Sequence, residues 1–424
     1  MSANLRASRG IESPYAWRRL IAALAILSIG SAGMYSMSVA LPPVQAEFGL
    51  ARAEASLPYT LFMIGFGLGA VAMGRFADRF GAMATVLVGA LGMGLGYIAA
   101  GFAGSLWLFS LAHGVLIGFL GGASTFGPLV ADISLWFERR RGIAVAILMS
   151  GIFVAGIWPP VLQHFFELVG WRNTLIGFGV FCLLTLPPLA LMLRGRPPAL
   201  VKDTAGAPAS GADVIPECTR ELGMSPRALQ GLLFVSGVAC CVAMSMPQVH
   251  LVAYCGDLGY APARGAEMMT VMMGFGIVSR LASGWISDHI GGVATLLLGA
   301  VLQGLALALF LPYQGLVALY VVSALFGLFQ GGLIPSYAII VRRYFDPREV
   351  GVRTGTVLMA TCLGMALGGW MAGRIFDVTG SYRAAFINGI AWNMITVVIA
   401  LYLLYRGRRA TGVLRPVAAP AGGH

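Results

Sequence analysis

The chain has 424 residues, of which 58% are hydrophobic and only 11% are charged, and its formal net charge is +11. Because an average soluble domain carries roughly 25% charged residues, this composition excludes an ordinary soluble protein and indicates an integral membrane protein. The basic excess requires no nucleic-acid partner, since topology and anionic lipid headgroups account for basic loops in a polytopic protein.

Twelve apolar runs are long enough to cross a bilayer, whose ~30 Å hydrocarbon core takes about 20 helical residues. We number these predicted transmembrane helices span 1 to span 12 in chain order. They cover residues 18–40, 54–75, 82–101, 105–135, 140–163, 171–193, 227–255, 262–286, 292–311, 315–342, 351–376 and 381–405. The predicted fold class is therefore all-α integral membrane.

The basic residues are distributed unevenly between the two sides of the membrane. All are arginines except Lys202, and 22 of the 28 fall on the side that holds both termini. The positive-inside rule then predicts that both termini are cytoplasmic. The N-terminal segment lacks the apolar core and cleavage site of a removable signal peptide, so we expect a multi-pass protein of the cell inner (plasma) membrane.

The cysteines and histidines show no spacing typical of a metal site. The six cysteines lie mostly inside apolar runs and are most simply small core residues; they are Cys182, Cys218, Cys240, Cys241, Cys255 and Cys362. No G-x-x-x-x-G-K-[ST] phosphate-binding loop is present. We therefore expect no metal, no cofactor and no nucleotide-driven activity.

A segment rich in Pro, Gly, Ala and charge separates span 6 from span 7 and is typical of a linker. It covers residues 194–226 and divides the chain into two halves of six spans each. The predicted divisions are a cytoplasmic tail, an N-terminal half, this linker, a C-terminal half and a second tail, at residues 1–17, 18–193, 194–226, 227–405 and 406–424.

Three landmarks recur in the two halves at a nearly constant offset. GRFADRFGA at 74–82 matches GWISDHIGG at 284–292, which lies 210 positions later. WFERRRG, ending at Gly142, matches RYFDPREVG, ending at Gly351, and the GWR that opens span 6 matches the GSYR that opens span 12. This regularity indicates a duplication and predicts two pseudo-symmetric six-helix halves.

The first of these landmarks resembles the signature loop of the major facilitator superfamily. The pattern G-x-x-x-D-R-x-G has a degenerate second copy, and its residues are Gly74, Asp78, Arg79, Gly81, Gly284 and Asp288. The resemblance implies the major facilitator fold and a gating role for these positions, in which Asp78 steadies a closed cytoplasmic gate against span 11. A carboxylate at a helix end can face the positive N-terminus of a neighbouring helix; a solvated Asp-Arg turn is the alternative interpretation.

Arg280 interrupts the apolar run of span 8, where an intramembrane charge costs at least ~2.5–3.5 kcal/mol. Helical side chains tilt toward the helix N-terminus, so its guanidinium is expected to point toward the membrane midplane. No carboxylate is expected at that depth, and a planar guanidinium matches the two oxygens of a carboxylate. We therefore predict that Arg280 binds an organic anion; snorkelling to the inner surface is the structural alternative.

A narrower resemblance is to the monocarboxylate transporters. WFERRRGIA at 136–144 is similar to a motif of that group, Gly151 fits its downstream glycine, and Arg280 matches its span-8 arginine. Gly276 stands where the animal members carry an aspartate, and the lysine that oxalate-type antiporters carry in span 11 has no counterpart. A single buried cation favours a monoanion over a dianion.

Three further residues are predicted to contribute to substrate binding. His250, in span 7, has a side chain that hydrogen-bonds a substrate or carries a proton, although helix packing explains it equally. Tyr35 in span 1 and Gln330 in span 10 are polar groups at cavity depth. His113 in span 4 is a further candidate, and Phe326 and Phe329 in span 10 are candidates to contact an apolar substrate body.

These features predict a secondary active transporter rather than an enzyme. Its expected partners are a small organic monoanion such as lactate or pyruvate, a proton and the lipid bilayer, and the expected oligomeric state is a monomer. Transport is expected to proceed by alternating access around a central site. A proton-driven drug or metabolite exporter is the alternative within transport, and a transporter-derived sensor or a membrane enzyme is the alternative outside it.

Overall fold

The computed structural model describes residues 11–195, 221–312, 315–346 and 349–413, and these ranges are almost wholly helical. Most spans are single helices or helices with short interruptions. In chain order the helical segments are Pro14–Phe48, Arg52–Gly101, Leu106–Trp136, Arg141–Val169, Trp171–Met192, Pro226–Asp257, Pro262–Ile290, Gly292–Leu309, Leu316–Tyr344, Val350–Thr379 and Tyr382–Val413.

Spans 2 and 3 form the single long segment Arg52–Gly101. Its 50 residues would extend ~75 Å as one straight helix at 1.5 Å per residue, far more than one bilayer crossing requires. Gly81 divides it, because its backbone adopts φ 84° and ψ 166°, a conformation that favours glycine. The described residues thus supply the twelve predicted spans.

The helices extend beyond several predicted ends. Span 1 is predicted to end at residue 40, yet the helix continues through Pro42 and Pro43 to Phe48. It stops at Gly49, whose positive φ of 62° forms a left-handed C-cap. The hydrophobic run marks the part of a helix within the membrane, and the helix itself extends further.

The duplication is visible in backbone details. Each half begins with a Ser-Pro pair in which the serine hydroxyl caps the helix: Ser13 accepts from the Ala16 amide and Ser225 from the Ala228 amide. Gly291 adopts φ 83° and ψ 159° between spans 8 and 9, nearly the conformation of Gly81. The proposed division at residues 194–226 lies largely outside the described residues and stays a prediction.

Glycine allows close helix contact at matching places in the two halves. A Cβ added at Gly65 in span 2 would clash with the Gly114 carbonyl of span 4. In the other half, a Cβ at Gly327 in span 10 would clash with the Met272 carbonyl of span 8. Backbone-to-backbone packing of this kind is typical of membrane helices.

The two ends of the bundle are distinguished by their contacts. At the end where span 1 begins, which we call the terminal end, the Tyr15 hydroxyl donates to the Arg194 carbonyl at 2.6 Å. At this end Arg19 also forms a buried bidentate ion pair with Asp132, and both N–O distances are 2.7 Å. The other end, which we call the opposite end, holds the starts of spans 2, 8 and 12.

Candidate functional site

A cavity of about 260 Å³ lies between the two halves. Spans 1, 2, 4 and 5 line it from one half, and spans 7, 8, 10 and 11 line it from the other. Its lining includes Tyr35 and extends to Val71 and Gly355. Val71 and Gly355 lie toward the terminal end of spans 2 and 11. The cavity therefore reaches from the middle of the bundle toward the terminal end.

Arg280 lines this cavity, as do the predicted residues Tyr35 and Gln330. In the part of the chain that the structure describes, the Nε of Arg280 is buried without a hydrogen-bond partner, and no ion pair involves its guanidinium. The structure thus brings together three residues that are distant in sequence. It places a cation with unused hydrogen-bond donors in a space between the halves.

Phe153 supports the guanidinium from span 5. The Arg280 Cζ lies 4.9 Å from the centre of the Phe153 ring, in cation–π geometry. The same ring occupies the space beside Gly276, where an added Cβ would clash with it. The Phe153 ring therefore occupies the space that a side chain at position 276 would need. It attracts the guanidinium of Arg280 and leaves its N–H donors free for other partners.

Two glutamine side chains contribute further unused polar atoms. The Gln248 amide nitrogen donates to the Gln330 amide oxygen at 3.1 Å. The Gln248 Oε1 and Gln330 Nε2 atoms are buried and have no hydrogen-bond partner among the described residues. Both side chains line the cavity, so one acceptor and one donor are available there in addition to Arg280.

Arg52 joins the two halves at the opposite end. Its guanidinium donates to both carboxylate oxygens of Asp257, at 3.1 and 3.2 Å, and to the Tyr382 hydroxyl at 2.9 Å. The Asp377 carboxylate accepts from the backbone amides of Arg52 and Ala53, at 2.7 and 2.8 Å.

We call Arg52, Asp257, Asp377 and Tyr382 the Arg52 cluster. Arg52 begins span 2, whereas the other three residues lie at the ends of spans 7, 11 and 12. The Asp377 carboxylate caps the helix that Arg52 begins, where a negative charge is favoured. The cluster therefore holds the two halves together on the side of the cavity away from the terminal end.

His250 lies beside the Arg52 cluster and does not line the cavity. It is 1% exposed. Its Nε2 lies 2.8 Å from the Gly369 carbonyl and its Nδ1 lies 2.9 Å from the Tyr382 hydroxyl. Because a carbonyl only accepts, a neutral His250 donates from Nε2 and accepts at Nδ1. His250 therefore ends a chain of hydrogen bonds in which Arg52 donates to Tyr382 and Tyr382 donates to His250.

The signature-loop residues lie at the terminal end, away from the cavity lining. Asp78, Arg79 and Asp288 are exposed, and the described residues provide Asp78 with neither a hydrogen bond nor an ion pair. A Cβ added at Gly74 or Gly284 would meet no atom within 4 Å. The described residues around this loop therefore lack the close packing expected of a closed gate, and the gating role stays a prediction.

The weaker candidates from the sequence are buried elsewhere. His113 is fully buried, and its Nδ1 lies 2.9 Å from the Phe109 carbonyl within span 4. Phe326 and Phe329 pack in the hydrophobic core of the C-terminal half and do not line the cavity. The phenylalanines that line the cavity are instead Phe62, Phe66, Phe126 and Phe153.

Several residues at these sites were not predicted from the sequence. Gln248 lies only two positions before His250, on a helix whose cavity-facing side was not identified. Arg52 and Asp257 were visible as charges at span ends, but their pairing across 205 positions depends on how the halves dock. Phe153 carries no polar group, so its sequence signal is indistinguishable from that of a packing residue.

Comparison with known families and proteins gives consistent matches. A family model described as Major Facilitator Superfamily matches residues 21–316 and 266–421. The chain is 31% identical over 317 residues to monocarboxylate transporter 13 of Rattus norvegicus, covering 73% of this chain and 71% of the relative. It is 27% identical over 395 residues to monocarboxylate transporter 11 of Homo sapiens, covering 89% and 80%.

Solved structures resemble the fold as a whole. A bacterial homologue of the human lysosomal transporter Spinster, in an inward-facing and unoccupied conformation, matches with a TM-score of 0.73 and 15% identity, covering 94% of this chain and 98% of that one. A point mutant of the nucleoside transporter NupG matches with a TM-score of 0.66 and 15% identity, covering 94% and 100%. At this identity the likeness concerns the fold.

Proposed function

Because this chain belongs to the Major Facilitator Superfamily and is a secondary transporter of that superfamily, we propose that it carries an organic monocarboxylate together with a proton. The observation that carries the proposal is the guanidinium of Arg280, which lies in the cavity between the halves and forms no ion pair with the described residues. The names of its relatives agree with a monocarboxylate substrate.

Arg280 anchors the substrate carboxylate in this proposal. The guanidinium offers parallel N–H donors that match two carboxylate oxygens, and Phe153 holds it from one side. Gln330 Nε2 is a further donor, and the Tyr35 hydroxyl lies in the same lining. A single cation neutralises a single carboxylate, so the site suits a monoanion.

The uptake of a radiolabelled acid into proteoliposomes tests this function directly. With a pH gradient, acid outside, we expect saturable accumulation that collapses when a protonophore dissipates the gradient. Accumulation that is independent of the pH gradient would contradict proton coupling, and the absence of saturable uptake for every monocarboxylate offered would contradict the substrate class.

The difference between the two ends of the molecule fits one conformation of an alternating-access cycle. The Arg52 cluster closes the opposite end, which the positive-inside rule predicts to lie outside the cell, whereas the cavity reaches toward the terminal end, which the same rule predicts to be cytoplasmic. This arrangement corresponds to a conformation that faces inward. Outward opening then requires the Arg52 cluster to separate and the signature-loop residues to close the other end.

Asp78→Asn is expected to favour the inward-facing conformation. The Asp78 carboxylate is exposed and makes no bond to the described residues, so its removal costs little in this state, whereas the closed inner gate loses a charge beside the start of span 11. We expect several-fold slower substrate exchange and a dissociation constant within a few fold of wild type. Glu138→Gln, an exposed carboxylate at the same end, is the control; a large loss of affinity with normal exchange would refute the gating role.

Cotransport of a proton removes an electrostatic penalty. A monocarboxylate is anionic at neutral pH, and an inside-negative potential opposes its entry by ~2.3 kcal/mol per charge per 100 mV. His250 is the proposed protein carrier, because protonation at Nδ1 would reverse its hydrogen bond with Tyr382, so that the ring donates to the hydroxyl and carries a positive charge beside the Arg52 cluster. The substrate carboxylate beside Arg280 is the alternative route.

His250→Ala is expected to abolish accumulation driven by a pH gradient while retaining exchange of labelled for unlabelled acid. Exchange needs only the binding site and the conformational change, whereas accumulation needs the proton. His113→Ala, which removes a buried histidine remote from the Arg52 cluster, serves as the control. Full pH-driven accumulation in His250→Ala would exclude the histidine and leave the proton on the substrate.

A further inference from the structure

The walls around Arg280 are more apolar than a short hydroxy or keto acid requires. Among the described residues, four phenylalanines and six methionines line the cavity. Phe66 lies between two other rings, with centroid distances of 6.2 Å to Phe62 and 5.8 Å to Phe126. Methionine side chains adapt to irregular shapes and contact aromatic rings favourably. Such a surface fits a flat or branched apolar body.

The volume of the cavity points to the same conclusion. Its volume of about 260 Å³ is many times the ~10–15 Å³ that a cavity needs to hold one water molecule. A short acid such as pyruvate would fill only part of this space and leave water against phenylalanine and methionine side chains. A substrate with an aromatic ring displaces that water and gains the free energy of burying apolar surface.

The charges of the lining restrict the substrate further. Among the described residues that line the cavity, Arg280 is the one charged residue, and no histidine is present. An ammonium group would therefore enter an apolar site without a carboxylate to pair with, which is costly. The unpaired amide atoms of Gln248 and Gln330 suit one neutral polar group, such as a keto or hydroxyl oxygen, but they do not neutralise a second charge.

We propose that the substrate is a monocarboxylate with an aromatic or branched apolar body and no ammonium group, and that the transporter discriminates against both short acids and zwitterionic amino acids. This inference rests on the proposed function, because it takes Arg280 as the carboxylate anchor. Phe66 and Phe126 then act as specificity-determining residues, since their rings line the cavity without contributing charge.

Equilibrium binding of four probes to the purified protein tests the inference. The probes are 3-phenylpropionate and three compounds that each differ from it in one group. Propionate lacks the ring, phenylalanine has an additional ammonium, and 3-phenylpropan-1-ol has a hydroxyl in place of the carboxylate. We expect 3-phenylpropionate to bind about 10- to 100-fold more tightly than propionate, from the burial of one ring. We expect phenylalanine to bind at least about 10-fold more weakly than 3-phenylpropionate, because its ammonium is left unpaired.

Variants of the wall separate specificity from folding. Phe126→Ala should reduce the preference for 3-phenylpropionate over propionate by about 10-fold or more while leaving propionate binding within a few fold. Phe329→Ala, which removes a partly buried phenylalanine of span 10 outside the lining, is the matched control and should leave the preference unchanged.

The outcomes distinguish the inference from the function on which it rests. Binding of propionate equal to or tighter than that of 3-phenylpropionate, with both lost in Arg280→Ala, would overturn the inference and keep the function. Tight binding of phenylalanine would also overturn it. If 3-phenylpropan-1-ol binds as tightly as 3-phenylpropionate and Arg280→Ala changes neither, both are overturned, and a neutral apolar compound becomes the cargo.

Discussion

Arg280→Ala is expected to abolish saturable uptake of the acid into proteoliposomes while the protein still inserts and purifies normally. The side chain makes no ion pair within the described structure, so its loss removes a ligand contact and leaves the packing of the two halves largely intact. Arg280→Lys should also be strongly impaired, because lysine keeps the charge but lacks the bidentate fork.

The control for this prediction is Arg264→Ala on the same span. Arg264 is exposed at the opposite end and pairs locally with Glu267 at 3.0 Å, so uptake should stay close to wild type. If Arg280 were structural, its two variants would express poorly and the folded fraction would transport normally. That pattern would place the arginine in the fold and remove it from the substrate site.

Arg52→Ala is expected to shift the transporter toward an outward-open conformation. The variant removes two hydrogen bonds to Asp257 and one to Tyr382, all of which join the halves only when the opposite end is closed. A hydrogen bond to a charged group contributes ~1.5–3 kcal/mol, and the loss of that free energy changes the ratio of the two conformations by about 10- to 150-fold. Asp257→Asn should shift the equilibrium in the same direction by a smaller amount.

Distances between spin labels on cysteines introduced at Ala51 and Ala261 provide the measurement. Both positions are exposed and lie in different halves beside the Arg52 cluster, so a longer-distance population should grow in the variant. Arg172→Ala is the matched control, because Arg172 pairs with Glu47 at 2.8 Å within a single half. An unchanged distance distribution in Arg52→Ala would show that the cluster does not hold the opposite end closed.

The sequence predicted the elements of the fold that depend on local composition and on repetition. Hydrophobic runs located the twelve spans, and the recurrence of one glycine-containing turn predicted the duplication that the matching backbone of Gly81 and Gly291 displays. Helix ends were less accurate, as at Pro42, because a helix that leaves the membrane no longer needs apolar residues.

The candidate site was predictable only where a residue is unusual for its surroundings. Arg280 stood out because a charge in an apolar run is costly, and Tyr35 and Gln330 stood out as polar groups at similar depth. The partners of His250 were hidden, because Tyr382 and Gly369 reach it through helix packing over more than a hundred positions. Phe153 was hidden because its role depends on the absence of a side chain at Gly276.

Binding of the substrate carboxylate by Arg280 is the claim on which the proposed function depends, and it is measured by the dissociation constant of the acid. Isothermal titration of purified wild type, Arg264→Ala and Arg280→Ala should use whichever of pyruvate and 3-phenylpropionate the wild type binds more tightly. A charge-assisted hydrogen bond contributes ~1.5–3 kcal/mol, so Arg280→Ala should bind this acid roughly 10- to 150-fold more weakly, with Arg264→Ala unchanged. An unaltered dissociation constant in Arg280→Ala would contradict the claim.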